Sequence, residues 1–427
     1  MKDVSFALDA LESEVASLSG DSLAPVRKAA LERFKVHGFP TTRDEDWKYT
    51  DLSPVVALGN RWLGEQKNYG AEPDLALVDE IKSSIDATWL VIANGELLEA
   101  QSSNLDLDGI SISESSHSDI KTSSPNSLSD LNLALLGRGV TINVSPRADT
   151  TRPIALLIID STGSGTGMSQ TRVDIKVEAG CKARFVEYHV SSGDGEHYAN
   201  VHINVEIARD ATVDYLRYQQ RSILHSQTAR LDVVLRENAA LHHSGIDLGG
   251  KLIRNDLQID INGKHSSARF DGVYIAAGQQ HIDNHTRVDH RVGPAISRQE
   301  YRGVASGRSR AVWNGKAIVH KGADGTDAEQ ANHNLLLSDK AEIDAKPELE
   351  IYADEVKCAH GTTVGQLDEK ALFYLRTRGI ERVRAERILT RAFATRIVNQ
   401  SPLPELHEWI GGKVEQRLRQ IAEGDSE

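Results

Sequence analysis

Apolar positions in the first forty residues recur at a helical interval. Phe6, Leu8, Leu11, Val15 and Leu18 keep a spacing near about 3.6 residues. After Pro25, well placed in a first helical turn, Ala29, Ala30, Leu31 and Phe34 repeat the pattern until Gly38 and Pro40 stop it. From Gln101 to Asp130 the pattern dissolves into Ser and Asp, which predicts a mobile surface loop or a partly ordered connection. Between about Thr141 and Ala353 the period drops to two, in runs such as Val173-Asp174-Ile175-Lys176-Val177, Ala183-Arg184-Phe185-Val186-Glu187-Tyr188 and Val201-His202-Ile203-Asn204-Val205. Alternation of this kind predicts short strands.

Each run ends in a small polar corner, and the intervals from Gly180 to Asp210 to Asn238 to Gly263 are 30, 28 and 25 residues. Such spacing is too irregular for a propeller and suits a coil of stacked strands, although a β-sandwich also accommodates it. From Leu367 a helical period returns, with Ala385, Ile388, Leu389, Ala392, Phe393 and Ile397 on one stripe; Pro402 and Pro404 separate it from a last helix starting near Glu405. The chain therefore divides into a helical and mixed N-terminal region (1–140), a strand-rich core (141–366) and a C-terminal helical region (367–427). In a solenoid the flanking helical regions are the expected caps for the two ends of the stack.

Charge narrows the range of partners. The formal net charge is -13, with 49 Lys and Arg against 62 Asp and Glu, which argues against nucleic-acid or anionic-membrane binding. The stretch Ala371 to Val398 departs from this balance, with seven Arg and two Glu. It reads as a solvated helix face or as a surface for an acidic partner. The N-terminus carries Asp3, Asp9, Glu12 and Glu14 where a signal peptide would be basic and then apolar, and no apolar run is long enough to span a bilayer, so a cytoplasmic location is expected.

The two cysteines, Cys181 and Cys358, exclude a disulfide framework and any C-x-x-C metal pair. Gly245 to Lys251 has the spacing of a phosphate loop, but Leu252 replaces the magnesium-binding Ser or Thr and a strand pattern follows. Gly163 to Gly167 reads as a turn. His281, His285 and His290 suggest metal ligation, yet in a strand positions four apart lie about 13 Å from each other. His242 and His243 point to opposite faces of any strand, and Cys181 fits a core or corner position. Cys358 and His360 are the sharper pair, because i and i+2 of an extended segment project to one side. Lys357 beside the thiol would favour thiolate.

The run LEIYADEVKCAHGTTVGQLDEKALFYLRTRGI, Leu349 to Ile380, closely resembles the C-terminal signature of the SufB/SufD family of iron-sulfur cluster assembly proteins. DEDWKYTDL, Asp44 to Leu52, resembles the signature of that family's SufD branch, and Ala311 to Gly315 and Leu335 to Leu337 fit its core. The resemblance implies a right-handed parallel β-helix (solenoid) flanked by N-terminal and C-terminal α-helical regions. It implies a scaffold and not an enzyme, paired with a SufB-like paralogue through the β-helix core; for the isolated chain the edge it would offer that paralogue leaves a homodimer open, because exposed strand edges seek partners. It further implies a SufC-like ABC-type ATPase on the C-terminal helical region, with Phe373, Tyr374, Arg376, Arg378 and Gly379 as contacts or supports. Carried over by position, Cys358 and His360 would form this chain's share of a nascent iron-sulfur cluster site completed by the partner. No cofactor would be held stably by the chain alone, and the cluster would be transient in the complex.

Two other readings compete. A β-helix enzyme acting on carbohydrate would use acidic residues such as Asp283, Asp289, Asp324 and Asp327, although aromatic residues, the usual sugar platforms, are only 5% of the chain. A mononuclear metalloprotein would use His281, His285 and His290.

Overall fold

A computed structural model of the chain describes residues 5–18, 20–64, 71–103, 107–117, 120 and 126–424. Its strands form two sheets, of ten and nine strands. From Val140–Val144 onward successive strands alternate between the sheets, and within each sheet those strands pair in parallel. Each turn of the chain thus lays one strand on each sheet, which makes a flattened parallel solenoid. Val173 pairs with Ile203, Ile203 with Leu231 and Leu231 with Leu257, steps of 30, 28 and 26 residues that follow the corner intervals to within one residue. Corners are polar because the backbone there turns left-handed: Gly180, Asp210 and Asn238 have φ of 72°, 58° and 54°. Gly, Asn and Asp adopt that conformation most readily. At the fourth corner His265, with φ of 61°, takes the left-handed position instead of Gly263.

Alternation sorts every strand into an inner and an outer set. Ile175, Val205, Val233, Ile259, Val288, Ala317 and Leu349 stack in register down the inside of the nine-stranded sheet. Opposite them the ten-stranded sheet contributes Phe185, Tyr215 and Phe270, and the two inner sets form one core. Burying side chains of this size stabilises by about 1.5 to 3 kcal/mol each, so the stack is held mainly from within.

The two outer faces are covered by helices. Helices Leu8–Ser17, Ala24–His37, Ser53–Gly64 and Ser127–Ala134 meet the nine-stranded sheet through a core that includes Phe34, Trp62, Leu131 and Tyr198. Helices Arg382–Gln400 and His407–Gly424 meet the ten-stranded sheet, where Ile397, Leu406 and Ile410 pack with Tyr188, Tyr218, Ile246 and Ile275. This corrects the expectation that the C-terminal region caps the coil: it lies along the side of the stack. The last strands, Glu342–Ile351 and Lys357–Gly365, end their sheets with free edges, and the residues of Lys357–Gly365 are half-buried or exposed.

Three further differences from the sequence pattern have local causes. Thr88–Ala93 already pairs in parallel with Ile154–Ser161, so the ten-stranded sheet begins ahead of the change in composition. Within the Ser-rich stretch, Ile110–Glu114 is a strand antiparallel to Val140–Val144, while residues 104–106, 118–119 and 121–125 lie outside the described residues. In helix Arg382–Gln400 the buried face is Ala385, Thr390, Ala394, Ile397 and Val398, leaving Ile388 and Ala392 of the predicted stripe exposed.

Candidate functional site at the open end of the coil

Cys358 and His360 lie on the last strand of the ten-stranded sheet, with the parity that faces the coil's interior. The inner column beneath Cys358 runs Ala183, Val213, Leu241, Ala268, Ser297, Ala328. The column beneath His360 runs Phe185, Tyr215, His243, Phe270, Gln299, Gln330. Both columns lose apolar bulk toward this end, and both terminate where no further rung covers them. Cys358 is half-buried and His360 is exposed. The pair therefore sits at a mouth: backed by the coil, fronted by two free strand edges.

Lys357 does not promote thiolate here. It has the opposite parity and points to the outer face, and burial, with the nearby Asp327 charge, raises the Cys358 thiol above its ordinary range. The neutral thiol is therefore favoured here over a standing thiolate. Among the described residues no group of three or more His, Cys, Asp or Glu is placed to hold a metal ion. Two ligands from one strand fall short of the four that a cluster takes, so a cluster at this mouth needs groups from outside the chain.

The other candidate residues are engaged elsewhere, which corrects the metalloprotein and carbohydrate readings. His281 bonds to Thr50 Oγ1 at 2.8 Å, His285 pairs with Asp283 at 3.1 Å, and His290 turns inward to Ser297 at 2.9 Å, so the three do not converge on an ion. Asp283 is fully buried and takes hydrogen bonds from Arg254 and Thr50; Asp289 is held by Arg287 and His320. Burial alone would raise both carboxyls, but these cationic and hydrogen-bonding partners win and hold them far below the ordinary range, where neither can act as a general acid. Asp327 pairs with Arg298, and Asp324 accepts the Asp354 amide. Leu252–Ile261 is a strand, as the failed phosphate loop predicts; Cys181 is core, and His242 and His243 face opposite ways, half-buried and buried.

Residues 44–52 form a strap, a role that periodicity could not reveal. The Trp47 ring lies under the Arg254 guanidinium at 4.3 Å, the Tyr49 ring lies 5.5 Å from that of Arg310, and Glu45 pairs with Lys346 at 2.6 Å. With Thr50 on Asp283, the motif ties the N-terminal region to the outer face of the late rungs, including the strand that flanks the mouth.

At the far side of the C-terminal region, helix Glu369–Thr377 buries Leu372 and turns Phe373 and Tyr374 outward, 70% and 57% exposed. The Arg378 guanidinium stacks 5.3 Å from the Tyr374 ring, and Gly379, φ 80°, reverses the chain into the next helix. Arg387 and Arg391 pair with Glu415 and Arg396 with Glu300, so much of the basic excess is spent inside the chain. What remains outward is Arg376, Arg378 and Arg384 around the exposed Phe373, Tyr374, Val383 and Ile388.

Comparison with known proteins agrees with this architecture. Residues 158–393 match the family described as "SUF system FeS cluster assembly, SufBD core domain", and residues 8–156 match "SufBD protein N-terminal region". The chain belongs to the SufBD family. It is 28% identical over 411 residues to the iron-sulfur cluster assembly protein SufD of Escherichia coli, covering 93% of this chain and 94% of that protein. A SufBD family protein of Synechocystis is 28% identical, with 92% and 91% covered. Protein ABCI7, chloroplastic, of Arabidopsis thaliana is 25% identical, with 94% and 89% covered. Family members are thus matched along nearly the whole chain, the strap and the mouth of this SufBD protein included. Among the described residues no helix is long and apolar enough to cross a membrane.

Proposed function

We propose that this SufBD-family chain is a non-catalytic scaffold subunit of a cytoplasmic iron-sulfur cluster assembly complex. Its open end meets a SufB-like paralogue, and the nascent cluster, the complex's product, is built or passed on where Cys358 and His360 face the partner's ligands. The exposed patch around Phe373, Tyr374 and Arg376 docks a SufC-like ABC-type ATPase, whose cycle moves the C-terminal helices. Cluster chemistry at the mouth requires no bond to be broken by this chain's own side chains.

One observation carries the reading: a thiol and an imidazole project from the same face of Lys357–Gly365, the strand that ends the ten-stranded sheet with a free edge at the late end of the coil. Free edges recruit strands, so the feature that leaves the ligand set incomplete is also the one that brings the chain able to complete it. A second copy of this chain would satisfy the same edges in the absence of the paralogue, without supplying further cysteine at the mouth beyond its own Cys358.

Anaerobic co-purification with SufB-like and SufC-like proteins tests this directly. Iron and sulfide are expected in the wild-type complex and depleted in His360→Ala, with folding unchanged. Undiminished iron and sulfide in the variant would remove the chemistry from this chain, and failure of the ATPase to co-purify would remove the docking surface.

A further inference from the structure

Directly beneath His360, one rung into the coil, lies Gln330. Its side chain is 4% exposed, and neither Oε1 nor Nε2 has a hydrogen-bond partner. A buried primary amide with both ends unmet is unusual, because such groups forgo water without replacing it. The neighbouring inner column shows the contrast. There Asn332 donates to Tyr274 Oη and to the Tyr301 carbonyl, and Thr362 of the last strand donates to Asn332. That column is closed by hydrogen bonds up to the last rung, whereas the column ending in His360 is not. One rung deeper, Gln299 donates to Thr286 Oγ1 at 2.5 Å, and its Oε1 is likewise unpartnered.

We infer that Gln330 is the positioning residue for His360: its amide, unmet in the structure as it stands, takes one imidazole nitrogen when the exposed His360 ring turns inward, so that the other faces the mouth. The inference rests on the scaffold reading above. Adjacent strands lie about 4.8 Å apart, within reach of two side chains of this length in parallel register. A neutral imidazole offers one donor and one acceptor, and a primary amide offers both, so Gln330 can meet either nitrogen and leave the other's lone pair outward. Histidine ligands are oriented by such a bond on their second nitrogen. Cys358 has no counterpart, since the residue beneath it is Ala328. Of the pair, only the imidazole has a polar side chain beneath it that can fix it from within.

The test uses the full chain carrying imidazole-15N histidine, with the His360 signals assigned by their loss in His360→Gln. Long-range proton-nitrogen spectra report the tautomer. Wild type should show one tautomer; Gln330→Met, close in shape and apolar, should move both nitrogens to the averaged shifts of free histidine; Gln330→Glu, which still accepts a hydrogen bond, should keep a single tautomer. Gln299→Met, one rung deeper, should leave the shifts unchanged and controls for packing. Unchanged His360 shifts in Gln330→Met would overturn the inference. In the assembled complex, Gln330→Met should release iron to a chelator at roughly tenfold lower concentration, the scale of lost outer-shell bonds. That loss should be absent in the His360→Ala background. If His360→Ala leaves iron content untouched, the scaffold site fails while the nitrogen shifts still decide the role of Gln330.

Discussion

Asp283 shows what one buried carboxylate demands of its surroundings. It has no exposure and is kept ionised by the Arg254 guanidinium at 2.6 Å, with Thr50 donating from the strap. Removing the cation leaves an uncompensated charge, so Arg254→Met should destabilise by about 3 to 5 kcal/mol. Thr50→Val removes a neutral donor and should cost about 1 to 2 kcal/mol. Urea unfolding of the two variants checks the order, and equal costs would mean that Arg254 is not the principal partner of Asp283. The buried histidines make a second residue-scale case. Burial first, then the Arg217 charge, pushes His243 down to about 3, and burial brings His202 and His290 to about 4. A histidine whose folded value lies below its unfolded value of about 6.5 contributes stability that is intact above that pH and lost as pH falls toward the folded value. Each such group should erode stability by up to about 1.4 kcal/mol per pH unit across that window. His243 is stacked on Tyr215 at 5.8 Å and has both ring nitrogens unpartnered, so His243→Phe should keep the packing and flatten the decline. Urea midpoints between pH 7 and pH 5 measure it, and an unaltered slope would exclude His243 as a contributor.

At the scale of elements, the C-terminal helices act on the side of the coil. Trp409 packs edge-on to Tyr218 and Tyr188, with ring centroids 4.8 and 5.9 Å apart, over the outer face of the ten-stranded sheet. Deleting residues 366–427 should therefore expose Tyr188, Tyr218, Ile246 and Ile275 and cause aggregation. Replacing Ile397 and Leu406 by Glu, which leaves the coil's end as it is, should do the same by loosening the helices. Light scattering of both proteins is the measurement; aggregation of the truncation with a monomeric double variant would return the effect to the end of the stack. The difference between these expectations and a capping role traces to what a linear pattern encodes. Period two in Val201 to Ile207 and polar corners at Asp210 and Asn238 are local, and they made the coil readable. Which face a helix covers depends on the outer residues of several strands brought together only by winding, so the placement of Ile397 against Ile246 was not readable. The same applies to the site: the shared side of Cys358 and His360 follows from spacing, while Gln330, thirty residues away, is joined to His360 only through the register. The strap is intermediate, since its resemblance to family members was visible but its contacts with Arg254, Asp283 and Lys346 were not.

The molecule as a whole is a one-dimensional stack whose two flanks are armoured and whose late end is not. A rung inside the coil hydrogen-bonds to neighbours on both sides, whereas Glu342–Ile351 and Lys357–Gly365 each pair on one side only. In a stack of this kind opening is easiest where nearest-neighbour terms are missing, so the last rung should fray without unfolding the rest. Amides of Lys357–Gly365 are therefore expected to exchange with solvent faster than those of the interior strand Glu196–Ile207, by on the order of a hundredfold or more. Binding of a paralogue at the edges should slow them toward the interior rate, because the outward-pointing amides of the edge strand then acquire carbonyls. Under the proposed scaffold role such fraying would have a functional consequence: a mouth that opened and closed on its own would admit iron or sulfur before the partner's ligands were in place, and coverage of the edge would then fix Cys358 and His360 for assembly. Hydrogen exchange resolved by peptide, on the isolated chain and on the complex, separates this from a rigid mouth. Protection of residues 357–365 equal to that of residues 196–207 in the isolated chain would show the last rung to be as firm as the core and would leave the partner no ordering role there.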